Sequence, residues 1–171
     1  MISIKKSFIS RFLNLIPVFI LFFLTLSETN FNFKNLEFLS FNPIYIVIFY
    51  WVLKKPENLG YGFIFLAGIV NDVVIGTPIG VSSLVYLVLS SFAAYIRYLT
   101  VQPSLIYDWI VFVPSIAVTN SLYFYVLNIF FETNISYVSL AMNTGITILF
   151  YPIIAIFFNI LNKIFVLGSD A

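Results

Sequence analysis

The sequence predicts an all-α integral membrane protein, a bundle of six transmembrane helices. Three observations carry that prediction. Of the 171 residues, 61% are hydrophobic and 9% are charged, against about a quarter charged in an ordinary soluble domain. A domain of this size leaves too much surface exposed to hide so much apolar area from water. The apolar residues fall into six separate runs, several of them near the roughly 20 residues that cross a bilayer as helix. The basic residues, finally, gather between alternate runs, as they do when loops alternate between the two sides of a membrane.

The first span is expected over 12–26, behind Lys5, Lys6 and Arg11, with Pro17 near its start, where proline is best tolerated. No small-residue cleavage pattern follows it, so it reads as a retained span and not as a signal peptide. A polar, asparagine-rich loop at 27–35 leads to the second span, 36–53, in which Pro43 marks either the true helix start or a kink. Lys54, Lys55 and Pro56 end it. Only Gly76-Thr77-Pro78 separates the third span, 59–75, from the fourth, 79–96, so the chain turns without leaving the membrane region by much. Arg97 closes the fourth span. A loop at 100–108 precedes the fifth, 109–131, which Pro114 should kink. A short loop at 132–136 precedes the sixth, 138–161, interrupted by Pro152 and followed by Lys163. All loops are short, and residues 1–171 read as a single membrane domain. With the N-terminus cytoplasmic, only Lys34 of the eight basic residues falls outside; Lys5, Lys6, Arg11, Lys54, Lys55, Arg97 and Lys163 face the cytoplasm, as does the C-terminus.

Composition also excludes chemistry. The absence of cysteine and histidine rules out disulfides, thiolate reactions, Cys/His metal sites and histidine acid–base catalysis. A net charge of +1 implies no surface for a polyanion, so no nucleic-acid partner is expected. No glycine-rich phosphate loop and no nucleophile paired with a base can be assembled. Neither catalytic residues nor a metal nor a cofactor is expected.

One carboxylate stands inside an apolar run: Asp72. A charge there costs about 3 kcal/mol on insertion scales, so it must face protein or water, pair, or be neutralised. Gly68, Asp72 and Gly76 recur every four residues and share one helix face, where small residues let a neighbouring helix approach. The next helix opens with Gly80, Ser82 and Ser83, beyond Pro78. Its hydroxyls, its free N–H groups and the positive end of its dipole are hydrogen-bond candidates for the acid. Arg97 lies at the far end of that helix. Asp72 therefore reads as the pin of the hairpin. The competing readings are a proton relay, which normally needs several ionisable groups, or a ligand-binding acid, and a contact to a partner's helix. If the acid only hydrogen-bonds, Asp72→Asn is expected to preserve folding. Asn14, Asn71, Asn120, Asn128, Asn143 and Asn159 read as interhelical glue. Tyr50-Trp51 ahead of Lys54-Lys55, and Trp109 beside Asp108, read as anchors at the membrane interface. No cluster of convergent polar groups that would orient a small ligand is evident.

The ordered set Asn42-Pro43, Tyr50-Trp51, Pro56, Gly60, Gly62, Gly68, Asp72, Gly76, Pro78 and Gly80 resembles the bacterial rod shape-determining MreD family. That family shows a proline entering span two, a Tyr-Trp pair ending it, and a Gly-x-x-x-Asp-x-x-x-Gly-x-Pro-x-Gly block. The resemblance covers residues 42–97, and the second half of the chain adds only topology. Asn71 and Ile79 depart from the family's usual apolar residue and leucine. The resemblance implies a fold similar to the substrate-binding subunits of energy-coupling-factor vitamin transporters. It implies a non-enzymatic inner-membrane component of the elongation machinery that helps organise lateral peptidoglycan synthesis and cell shape. The implied partners are an MreC-like bitopic membrane protein, the filament MreB, the glycosyltransferase RodA and its transpeptidase. Pro43, Tyr50, Trp51, Lys54, Lys55 and Arg97 are then candidates for partner or interface contacts. The rival reading is a small-solute-binding membrane subunit of a transporter.

Overall fold

The computed structural model describes residues 15–27, 41–100, 104–131 and 136–170, with side chains through Lys163. Lys5, Lys6, Arg11, Asn14 and Lys34 lie outside the described residues, as do most of the 27–35 loop and residues 132–135. The described residues form six α-helices: α1 Ile16–Leu26, α2 Pro43–Lys54, α3 Tyr61–Ile75, α4 Val81–Leu99, α5 Leu105–Phe130 and α6 Tyr137–Asp170. A single 3-10 turn, Pro56–Asn58, joins α2 to α3. Helices α4, α5 and α6 are long and apolar enough to cross a membrane; α1, α2 and α3 are apolar but shorter.

Local chemistry sets the helix ends. Pro43 is the first residue of α2, not a kink within it. Proline loses nothing at that position, because the first N–H groups of a helix have no intrahelical partner. The Asn42 side chain accepts from the Ile44 N–H at 3.1 Å and caps the start. Helix α5 begins at Leu105, ahead of the expected 109, because Ser104 caps it by accepting from the Tyr107 N–H at 3.2 Å. Helix α6 runs through Pro152 without the expected interruption. Pro152 has no N–H to give the Ile148 carbonyl. The Trp109 indole on α5 supplies the missing donor, at 2.8 Å. Trp109 is therefore a brace between α5 and α6 and only partly exposed, where an interface anchor was expected.

Helices α1, α3, α4, α5 and α6 pack each against the next, and α2 packs against α1, α4 and α6. Every residue of α2 from Pro43 to Leu53 is buried. A helix apolar on all sides belongs in a core or in lipid, and here it is the core. Phe49 of α2, Phe112 of α5 and Tyr151 of α6 fill the middle; the Phe112 and Tyr151 rings stack at 4.4 Å, and Phe49 meets Phe112 edge-on at 5.0 Å. The outward faces carry exposed large apolar side chains, among them Phe23, Tyr98, Ile153 and Phe157, a surface suited to lipid.

This placement corrects the reading of Pro43, Tyr50 and Trp51 as interface contacts. All three are buried. The Tyr50 hydroxyl donates to Asn159 Oδ1 at 2.7 Å and accepts from Asn162 Nδ2 at 3.1 Å, and Trp51 packs on Phe158. The pair closes the core between α2 and α6.

Candidate functional site

Asp72 sits in the last turn of α3 and is fully buried. Its Oδ2 accepts from the Gly80 N–H at 2.7 Å, and its Oδ1 accepts from the Thr77 hydroxyl at 2.9 Å and the Ser82 N–H at 3.0 Å. Helix α4 has glycine at its N-cap position and no capping side chain of its own. The carboxylate of the preceding helix takes that role, satisfying free N–H groups and lying at the positive end of the helix dipole. The backbone around it is built to permit this. Gly76 (φ +77°) ends α3 in the left-handed region and Gly80 (φ +104°) opens α4 there, conformations that a side chain disfavours. The Gly76 and Thr77 N–H groups both return to the Asp72 carbonyl, at 2.9 and 3.0 Å, closing the end of α3.

The expected partners are present in altered roles. Ser82 binds the acid through its backbone N–H; its hydroxyl accepts from Asn71 Nδ2 at 2.9 Å. The Ser83 hydroxyl donates instead to the Phe65 carbonyl at 2.9 Å. Gly68 is the residue at the close approach: a Cβ there would collide with the Ser83 backbone. Gly76 does not share that contact, because among the described residues nothing lies near a Cβ built on it. Pro78 belongs to the turn, where its carbonyl accepts from the Val81 N–H at 3.3 Å.

Beside this hairpin lies a recess of about 230 Å³. It receives amides from Asn42, Asn71, Asn120 and Asn143, and hydroxyls from Tyr45, Tyr86, Tyr123, Ser82 and Ser139. Among the described residues no charged side chain lines it. Its origin is the length of α2. Twelve residues rise only about 18 Å, against a hydrocarbon core of about 30 Å. Helices α5 and α6 run past the start of α2, and polar side chains from five helices or their caps converge over that end. The buried Tyr86 hydroxyl has no hydrogen-bond partner among the described residues. This convergence overturns the expectation that no polar cluster exists. The signal available in the sequence was the set of asparagines at 71, 120 and 143, which read singly as glue. Asn120 does act so, donating to Thr144 Oγ1 at 2.6 Å, whereas Asn128 is exposed.

At the opposite end, Lys54 in the last turn of α2 pairs with Asp108 in the first turn of α5, Nζ to Oδ2, at 2.6 Å. Each charge also suits its own helix terminus. Lys54 is thus tied inward and corrects the expectation of a cation facing partners. Asp108, 1% exposed, is a buried acid that sequence reading placed in a loop. Lys55 is half-buried and Arg97 exposed, both at this end. Among the described residues no group of three or more acidic, histidine or cysteine side chains gathers that could hold a metal ion.

A family model described as rod shape-determining protein MreD matches residues 6–161. No curated protein and no solved structure matches the chain, so the expected likeness to energy-coupling-factor transporter subunits has no support among solved structures.

Proposed function

Because this chain belongs to the rod shape-determining MreD family, we propose that it serves the shape-determining complex as a non-enzymatic docking protein of the inner membrane. The chain passes through the membrane six times, with α1, α2 and α3 as short helices that do not each span the full hydrocarbon thickness, and both termini are cytoplasmic. Its principal partner is an MreC-like bitopic protein, through which it joins MreB, RodA and the transpeptidase and helps organise lateral wall synthesis. The family does not favour the solute-binding rival.

The observation that carries the proposal is the recess over the start of α2, which the described residues line with amides, phenols and hydroxyls. Amides and hydroxyls recognise peptide groups and neutral polar side chains, and burying neutral groups avoids the desolvation that charges incur. On the proposed topology the recess opens away from the cytoplasm. A membrane-proximal polar segment of a bitopic partner meets both conditions. The Gly68, Asp72, Gly76, Pro78 and Gly80 block acts as the frame that fixes one wall of the recess, since Asn71 and Ser82 flank the acid and line it.

The test is co-purification in mild detergent. Ser139 is exposed at the recess, so Ser139→Trp should block it while the protein accumulates normally. The expected result is loss of the bitopic partner from the pull-down. Undiminished recovery with the recess blocked overturns the proposal.

A further inference from the structure

A second cavity lies at the Lys54 end, on the other side of the bundle from the recess. It measures about 300 Å³ and is lined by Val52, Pro56, Tyr61, Ala94, Arg97 and Tyr98. We propose that this groove holds the phosphate headgroup of a net-anionic membrane lipid.

The lining divides into two parts. Val52, Pro56 and Ala94 give an apolar floor, and Arg97 with the phenols of Tyr61 and Tyr98 gives a hydrogen-bonding rim. Arg97 is exposed and makes no ion pair among the described residues. It contrasts with Lys54 at the same end, whose charge Asp108 has already taken. Glu57, exposed on the adjoining 3-10 turn, does not line the groove. A guanidinium binds phosphate through paired N–H donors, and phenols add donors. Basic pockets between membrane helices near the bilayer surface suit anionic headgroups. Tyr98 is 88% exposed, with Tyr95 and Leu99 also exposed at this helix end, so the groove meets the zone where lipid glycerol and headgroup lie. The apolar floor favours a phosphate that carries acyl chains over a free one, and an unneutralised Arg97 disfavours a zwitterionic headgroup. The inference requires only that the chain crosses the bilayer. It is independent of which face is cytoplasmic and of any partner protein, so it can fail while the docking proposal stands.

The test uses the purified full-length chain, delipidated and offered phosphatidylglycerol or phosphatidylcholine, with retained lipid read by native mass spectrometry. Wild type should retain the anionic lipid preferentially. Arg97→Gln should lower that preference about fivefold, the worth of one basic residue near an anionic surface. Ala94→Leu fills the floor, leaves Arg97 in place and should lower it too. Lys163→Gln, which removes an exposed cation at the same end, should leave it unchanged. An Arg97→Gln protein that keeps its preference overturns the proposal. So does an equal loss in Lys163→Gln, which would assign the effect to overall charge, or displacement by inorganic phosphate, which would assign the groove to a soluble anion.

Discussion

Asp72 shows how a carboxylate can live inside an apolar bundle. Both oxygens face donors: the Thr77 hydroxyl and the Gly80 and Ser82 N–H groups. The isosteric amide cannot replace it, because an NH2 group would then point at another donor. Asp72→Asn should therefore destabilise by about 1–3 kcal/mol, the cost of leaving buried donors unsatisfied, and not be silent as hydrogen bonding read from sequence suggests. Thermal unfolding in detergent measures this; an unchanged midpoint would show that the donors find other partners. Gly68 makes a steric claim of the same size. A methyl there meets the Ser83 backbone, and forcing α3 from α4 should cost about 1–3 kcal/mol. Gly62→Ala is the matched control on the same helix, with no described residue near its Cβ, and should be neutral or stabilising by up to about 1 kcal/mol. Equal losses in both would refute the close approach as the cause.

Helices in this protein are joined at points where one element leaves a group unsatisfied and another satisfies it. Pro152 leaves the Ile148 carbonyl without its helical donor, and Trp109 donates to it. Trp109→Phe should cost about 1 kcal/mol in the native background and far less beside Pro152→Ala, which restores the helical N–H. A double-mutant cycle reads the coupling, and additive losses would separate the two residues. The Lys54–Asp108 pair joins the end of α2 to the start of α5 in the same manner. Lys54→Met strands a buried acid and should cost about 3 kcal/mol, whereas Lys54→Met with Asp108→Leu should recover most of it, because removing both members of a buried pair is often neutral. A double variant as unstable as the single one would contradict that account.

For the molecule as a whole, the alternation of helix directions puts the Asp72 turn and the polar recess at one end and Lys54, Lys55 and Arg97 at the other. The chain has no cysteine, so single cysteines report topology directly. Ile79 is 73% exposed on the α3–α4 turn, and Glu57 is exposed on the α2–α3 turn. A membrane-impermeant maleimide should label Ile79→Cys in intact cells and Glu57→Cys only after permeabilisation. Labelling of both from one side would refute the proposed crossing of α3 between them.

Hydropathy and charge placement were enough to read the helical membrane class, the six helices of the described residues and the α3–α4 hairpin with its buried acid. Those features are local: run length, helix breakers and the spacing of Gly68, Asp72 and Gly76 act within neighbouring turns. Sequence could not tell that α2 is the enclosed helix, that Tyr50 and Trp51 face inward, or that Lys54 is paired. Lipid tails are as apolar as leucine, so a run facing protein and a run facing lipid have the same composition. The recess was hidden for a related reason. It draws polar groups from positions as far apart as Asn42 and Asn143, and only the packing of a short helix among longer ones brings them to one place.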